Sequence, residues 1–311
     1  MKKIMFGLLV LSALIIAGCT DPEPQTRSFL GGSQGLEISF LPDAPPETVS
    51  DQRQQDFDVY VELKNRGEYE IPPNRVLVKL SGFRAEAFGL SSTDLTKTAS
   101  EPIYARVLSP DGRTIDPPES YVTFEMLSYQ DAAIGAGTRF PFRVDVCYGY
   151  ETTAASSLCV KENMNIDRAG DLCNVDSTRS LSVSGAPIQV TSMQQSRAGT
   201  DRTRFTFTVQ DKGPGDVFRP ESACEQATRI ENRVFITVEG LPGENVNCIG
   251  LMEGTSNAGY IILSGKEPKD ISCIYTVTDR NNRIEPFNVR LAYDYSQSIT
   301  RQVNVEHHPL G

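Results

Sequence analysis

The chain has 311 residues, 39% of them apolar, with 14 Phe, 11 Tyr and no Trp; that is room for about two domains with real cores, and it excludes a disordered chain. Asp plus Glu number 40 against 30 Lys plus Arg, a formal net charge of −10, which repels phosphate backbones and argues against nucleic acid as a partner. Without residues 1–18 the count is 28 against 40, about −12, and such acidity keeps an exposed protein in solution.

Residues 1–18 read as an export signal. Lys2 and Lys3 precede an apolar run from Ile4 to Ala17 that is too short to span a bilayer comfortably. The run ends Ile16-Ala17-Gly18-Cys19, which resembles the lipobox of prokaryotic lipoproteins. That resemblance implies cleavage before Cys19 and a diacylglyceryl group on its sulfur, so that the chain meets the membrane through lipid on Cys19 and faces the extracytoplasmic side. Stable anchoring takes two or more acyl chains. The competing reading is an ordinary secretory signal with a cysteine near the cut by chance. Residues 19–34, polar and containing Pro and Gly, read as a flexible tether.

Strands follow. Leu36, Ile38 and Phe40 alternate with Glu37 and Ser39; Val59, Val61 and Leu63 alternate before a turn at Asn65-Arg66-Gly67; Val76, Val78 and Leu80 alternate in turn. The best helical candidate, FRAEAFGL from Phe83, amounts to a turn or two. SPDGRT at 109–114 marks a hairpin, and TDRNNR at 278–283 a turn.

The second half repeats this order. Phe205, Phe207 and Val209 stand 146 residues after Val59, Val61 and Leu63, and PFNVRLAYDY from Pro286 stands 145 after PFRVDVCYGY from Pro141. NRVFITV from Asn232 lies 158 after NRVLVKL from Asn74, because the second copy gains VFRPESACEQATRIE between them. Nearly equal offsets at both ends are the mark of a duplicated unit. The expected fold is therefore all-β, with two tandem immunoglobulin-like antiparallel β-sandwiches at 35–161 and 183–307 joined by a linker at 162–182. The run LKNRGEYEI, followed by a strand and an SGF or EGL turn, resembles the CARDB-type or NEW3-type immunoglobulin-like domains. The second copy keeps the glycine but reads DKGPG. The resemblance implies adhesive or spacer modules at the cell surface and transfers no catalytic residue.

With Cys19 set aside for lipid, Cys147, Cys159, Cys173, Cys224, Cys248 and Cys273 remain as candidates for three disulfides. Sequence leaves the connectivity open. The spacing favours Cys147–Cys159 across a hairpin turning near Thr153, Cys173–Cys224 between linker and inserted loop, and Cys248–Cys273 on adjacent strands.

Sites for chemistry are scarce. The two histidines, His307 and His308, read as residues of a frayed tail. There is no GxSxG, GxxxxGK[ST] or HExxH, and no Trp to form a sugar platform. The Asp and Asn groups at 171–176 and 279–282 read as turns before they read as calcium loops. Tyr148, Tyr150, Tyr293 and Tyr295 read as packing or corner tyrosines, with a surface contact stripe as the alternative. No cofactor or metal site is assigned. The expectation is a non-catalytic, lipid-anchored surface protein with a binding, adhesion or envelope-scaffolding role and a protein or surface-glycan partner. Its rivals are an accessory subunit presenting a separate enzyme or transporter, and a hydrolase with an unrecognised site.

Overall fold

In a computed structural model the chain is described at residues 29–133, 137–225, 232–242, 245–279 and 281–307. The first half holds β1 (Leu36–Phe40), β2 (Thr48–Ser50), β3 (Phe57–Asn65), β4 (Val76–Ser81), β5 (Thr96–Thr98), β6 (Val107–Leu108), β7 (Thr114–Ile115), β8 (Ser120–Leu127) and the 23-residue β9 (Thr138–Val160). The second holds β10 (Ser177–Thr178), β11 (Ser182–Val183), β12 (Ile188–Arg197), β13 (Arg202–Asp211), β14 (Asp216–Phe218), β15 (Arg233–Glu239), β16 (Val246–Ile249), β17 (Ala258–Ile262), β18 (Lys269–Thr276) and the 24-residue β19 (Arg283–Glu306). Among the described residues the helical segments are short 3-10 turns, one at Ala85–Phe88 within FRAEAFGL. The fold is all-β and sandwich-like. SPDGRT does turn the β6–β7 hairpin.

Alternation makes these strands. In β3 every second residue from Phe57 to Asn65 is buried, so one face enters a core and the other stays at the surface. β1, β3 and β8 form one sheet, and β10, β12, β13, β18 and β16 form another. A third sheet runs β17-β15-β19-β9-β4-β5, drawing strands from both halves. The first small sheet packs on it through Phe57 and Phe142, ring centroids 5.9 Å apart, and the second through Phe205 and Phe287, 5.0 Å apart. One continuous hydrophobic cluster results.

The repeated stretches occupy corresponding places. Leu77 lies opposite Cys147, and Phe235, 158 residues after Leu77, lies opposite Ala292, 145 after Cys147. Leu36 pairs with Asn65 as Ile188 pairs with Asp211. Yet the halves are interlocked. β9 and β19 pair antiparallel over their whole length, with Gly149 opposite Asp294 at the centre. Beyond that crossing each long strand enters the other half. Thr152 Oγ1 donates to the Ile188 carbonyl at 2.6 Å, and the Gln195 amide bridges the Cys159 N–H and C=O. Reciprocally, β19 pairs parallel with β2, and its Gln297 and Arg301 donate to the Leu36 and Leu41 carbonyls.

Two connecting stretches are more ordered than their composition implies. The expected linker, 162–182, carries β10 and the first residue of β11, and it buries Met164 and Val175. Of the expected flexible tether at 19–34, residues 19–28 lie outside the described residues. Leu30 and Gly31 are pinned, their N–H groups donating to the Glu68 carboxylate at 2.8 and 2.9 Å, and the Gly185 N–H joins the same carboxylate at 2.6 Å.

Candidate functional site: the crossing of the long strands

The inner face of the crossing carries the four tyrosines, all fully buried. Tyr148 stands opposite Tyr295, and Tyr150 opposite Tyr293. Each hydroxyl is satisfied, and the partners recur by repeat. Tyr150 donates to Asn65 Oδ1 at 3.1 Å, and Tyr295 donates to Asp211 Oδ1 at 3.0 Å. Tyr148 accepts from the Leu36 N–H as Tyr293 accepts from the Ile188 N–H. Burial pushes all four phenols well above their ordinary pKa, so they act as neutral hydrogen-bonding groups. Packing with corner bonds is what they do. Asp211 is also raised, by burial foremost, although Lys266 at 2.6 Å opposes the shift.

The outer face carries features that the sequence did not reveal. Gly149 leaves room there for Arg75, whose guanidinium a Cβ at residue 149 would strike. Arg75 Nη2 donates to Asp294 at 2.9 Å, and Asp294, only 2% exposed, also accepts the Ser222 and Ala223 N–H groups at 2.8 and 3.0 Å. One buried carboxylate thus fastens the inserted loop over the sheet. The signal was present: YGY in the first copy becomes YDY in the second.

The disulfides differ from two of the three expected pairs. Cys248–Cys273 forms, between directly opposed residues of β16 and β18. Cys147 joins Cys224, not Cys159, and Cys159 joins Cys173. The expected hairpin CYGYETTAASSLC does not turn at Thr153, because β9 runs straight through it. About twelve steps along an extended strand separate those cysteines by roughly 40 Å, far beyond a bridge. Cys147–Cys224 therefore pins the inserted loop beside Asp294. Cys19 lies outside the described residues.

A polar groove of about 760 Å³ opens beside that bridge, lined by Lys79, Arg143 and Asp145 from the first half and by Asp216, Phe218 and Ser296 from the second. Arg143 pairs with Asp145 at 2.7 Å. A second groove, about 640 Å³, lies further along β19 among Asp43, Glu47, Thr48, Arg139, Arg301 and Gln302. Arg301 sits 5.2 Å over the Phe40 ring. Both are open, shaped more for a passing chain than for an enclosed small molecule.

The remaining candidates take structural places. His307 is not frayed: its Nδ1 lies 2.8 Å from the carboxylate of the buried Asp51, where β19 ends against β2. His308 lies outside the described residues. Asp171 accepts from Lys161 Nζ at 2.7 Å, and Asp176 accepts the Arg197 N–H at 2.9 Å. Hydrogen bonds from Lys161 hold the Asp167 and Asp171 carboxyls below their ordinary range. Asn281 donates to Asp279 at 2.8 Å, Asn282 accepts the Glu162 N–H, and Arg280 lies outside the described residues. Among the described residues no group of three or more His, Cys, Asp or Glu is placed to hold a metal ion. No helix among them is long and apolar enough to cross a membrane.

No protein-family model matches this chain, and no curated protein matches it. Among solved structures it is similar to the secreted serine protease VesC from Vibrio cholerae, at 9% identity over 86% of this chain and 51% of that one, with a TM-score of 0.16. The chain spans about half the length of that structure. A likeness this slight carries no argument about fold or activity.

Proposed function

We propose that this is an exported lipoprotein, anchored through lipid on Cys19, whose immunoglobulin-like sandwiches of CARDB or NEW3 type serve a non-catalytic binding or envelope-scaffolding role. Three disulfides are consistent with an exported or extracellular protein. The observation that carries the binding reading is the outer face of the shared sheet. It is fastened by Asp294 and the Cys147–Cys224 bridge and flanked by two open polar grooves along β19. Such a platform suits contact with an extended or broad partner. The test is crosslinking in intact native cells, followed by pulldown and mass spectrometry. A stoichiometric partner supports the reading, and robust turnover of an envelope substrate by the purified chain, lost on mutating one carboxylate, sinks it. Labelling with an alkyne fatty acid checks the anchor: incorporation is expected in the native chain and absent in Cys19→Ser.

A further inference from the structure

The two long strands are not equally covered. Along β9, the outer edge beyond the crossing is paired by β11, with Ser182 opposite Ala155 and Val183 opposite Ala154. The Ser184 N–H donates to the Thr153 carbonyl at 2.9 Å, and the Thr153 N–H returns to Ser184 Oγ at 2.9 Å. The residues of β19 that stand 145 later, Ser298, Ile299 and Thr300, have no such strand. β14 stops opposite Ser296 and β2 starts opposite Asn304. Among the described residues, Gln297 to Val303 pair with β9 alone.

The direction of the open groups follows from a neighbour. Asn304 turns its N–H away from β9 to the Glu47 carbonyl at 2.8 Å. Orientation alternates along an antiparallel ladder, so Ser298, Thr300 and Gln302 also turn their N–H and C=O outward. All three residues are exposed. The stretch is roughly 24 Å long at strand rise, and the two grooves open at its ends, one at Ser296 and Ser298, the other at Gln302 and Asn304. The chain's own counterpart of β11 is diverted. Leu30 and Gly31 stand 152 residues before Ser182 and Val183, as Leu36 stands before Ile188, but their N–H groups go to Glu68. Positive φ at Gly31 and Gly32, +77° and +112°, turns the backbone away.

We propose that the outer edge of β19 from Gln297 to Val303 docks an extended strand of a partner protein, added antiparallel as β11 is added to β9. The twin edge states the partner's chemistry: alternating apolar and small polar residues without proline, as in Leu181-Ser182-Val183-Ser184. Its small polar side chains meet Ser298, Thr300 and Gln302 on the outer face, and its apolar ones turn toward Phe40 and Ile299. Affinity comes from main-chain hydrogen bonds and specificity from the alternate side chains. This inference rests on the binding reading above and names its site.

The test uses the full chain in detergent and a synthetic peptide of residues 179–185, RSLSVSG, as the probe. In hydrogen exchange the amides of Ser298, Thr300 and Gln302 are expected to exchange freely, while that of Ala155 is slow. Millimolar peptide is expected to slow those three. Thr300→Pro removes the central outward donor without touching the β9 ladder and is expected to weaken the peptide about tenfold or more, whereas Thr300→Ala keeps it. Slow exchange in the free chain, no protection by peptide, or equal protection in Thr300→Pro overturns the proposal; the Ala155 amide reports that the variant is folded. In native cells, a crosslinked partner lost in Thr300→Pro supports it. A partner that survives Thr300→Pro removes this edge but leaves the binding reading standing. No partner in the wild type removes the binding reading, and the peptide measurement then decides the edge alone.

Discussion

Tyr150 and Tyr295 make the same corner bond to different acceptors, Asn65 in one copy and Asp211 in the other. Each acceptor also takes the N–H of a glycine two residues on, Gly67 or Gly213. Phe at either tyrosine leaves a buried acceptor short of a donor and is expected to cost about 1–3 kcal/mol in thermal or denaturant unfolding. Asp211 separates charge from shape. Because burial raises its folded pKa, the folded state binds that proton more tightly than the unfolded state does. Its contribution to stability therefore grows as pH falls through the folded value and is complete below the unfolded one. Asp211→Asn, which copies Asn65, is expected to unfold no earlier than wild type at neutral pH and to lose that pH dependence. Asp211→Ala leaves the Tyr295 O–H and the Gly213 N–H without their acceptor and is expected to unfold earlier by about 1–3 kcal/mol. A melting series from pH 4 to 8 distinguishes the three proteins.

Among the elements, the inserted loop and the 161–176 segment are held by different means. The Cys147–Cys224 bridge closes 77 residues and Cys159–Cys173 closes 14. Chain entropy assigns about 4.5 kcal/mol to the first and about 3 to the second. Paired Ser substitutions are expected to lower the melting temperature in that order. The 161–176 segment depends on charge as well. Burial works against the Lys161 ammonium, but Asp171 and Asp167 outweigh it and its pKa is raised. Lys161 in turn lowers both carboxyls, so the stability they contribute is present above their unfolded pKa and is lost as pH falls through the lowered folded values. Relative to the intrinsic exchange rate at each pH, the amides of 161–176 are expected to lose protection on acidification while the β9 amides keep theirs. The element the sequence misled about is β9. ETTAASS offers small polar residues and reads as a turn, yet Thr152 and Ala154 point into a core that the second half supplies.

At the scale of the molecule, strand exchange makes the halves depend on each other. The second half of β9 is covered by β11 and β12, and the second half of β19 by β1 and β2. Either half alone leaves the far half of its long strand without its cover, an open edge that invites aggregation. Residues 29–161 expressed alone are expected to lack cooperative unfolding, and coexpression with residues 162–307 is expected to restore a folded complex by size exclusion and circular dichroism. Independent folding of 29–161, with a sharp melt, is the outcome that contradicts this.

Composition and alternation by themselves determined the all-β class and the repeat, and favoured packing over a surface stripe for the tyrosines, because strand period, turn chemistry and internal similarity are local properties of the chain. NRVLVKL and NRVFITV read alike because both must lie beside a long strand in the same register. Only the tertiary structure decided which cysteines meet, that His307 reaches Asp51, that Asp294 and Arg75 join over Gly149, and which edge of β19 stays open. Those contacts link residues as far apart as Asp51 and His307. They follow from one crossing of two extended strands, and no window of sequence shows where an extended strand will end or what will cover it.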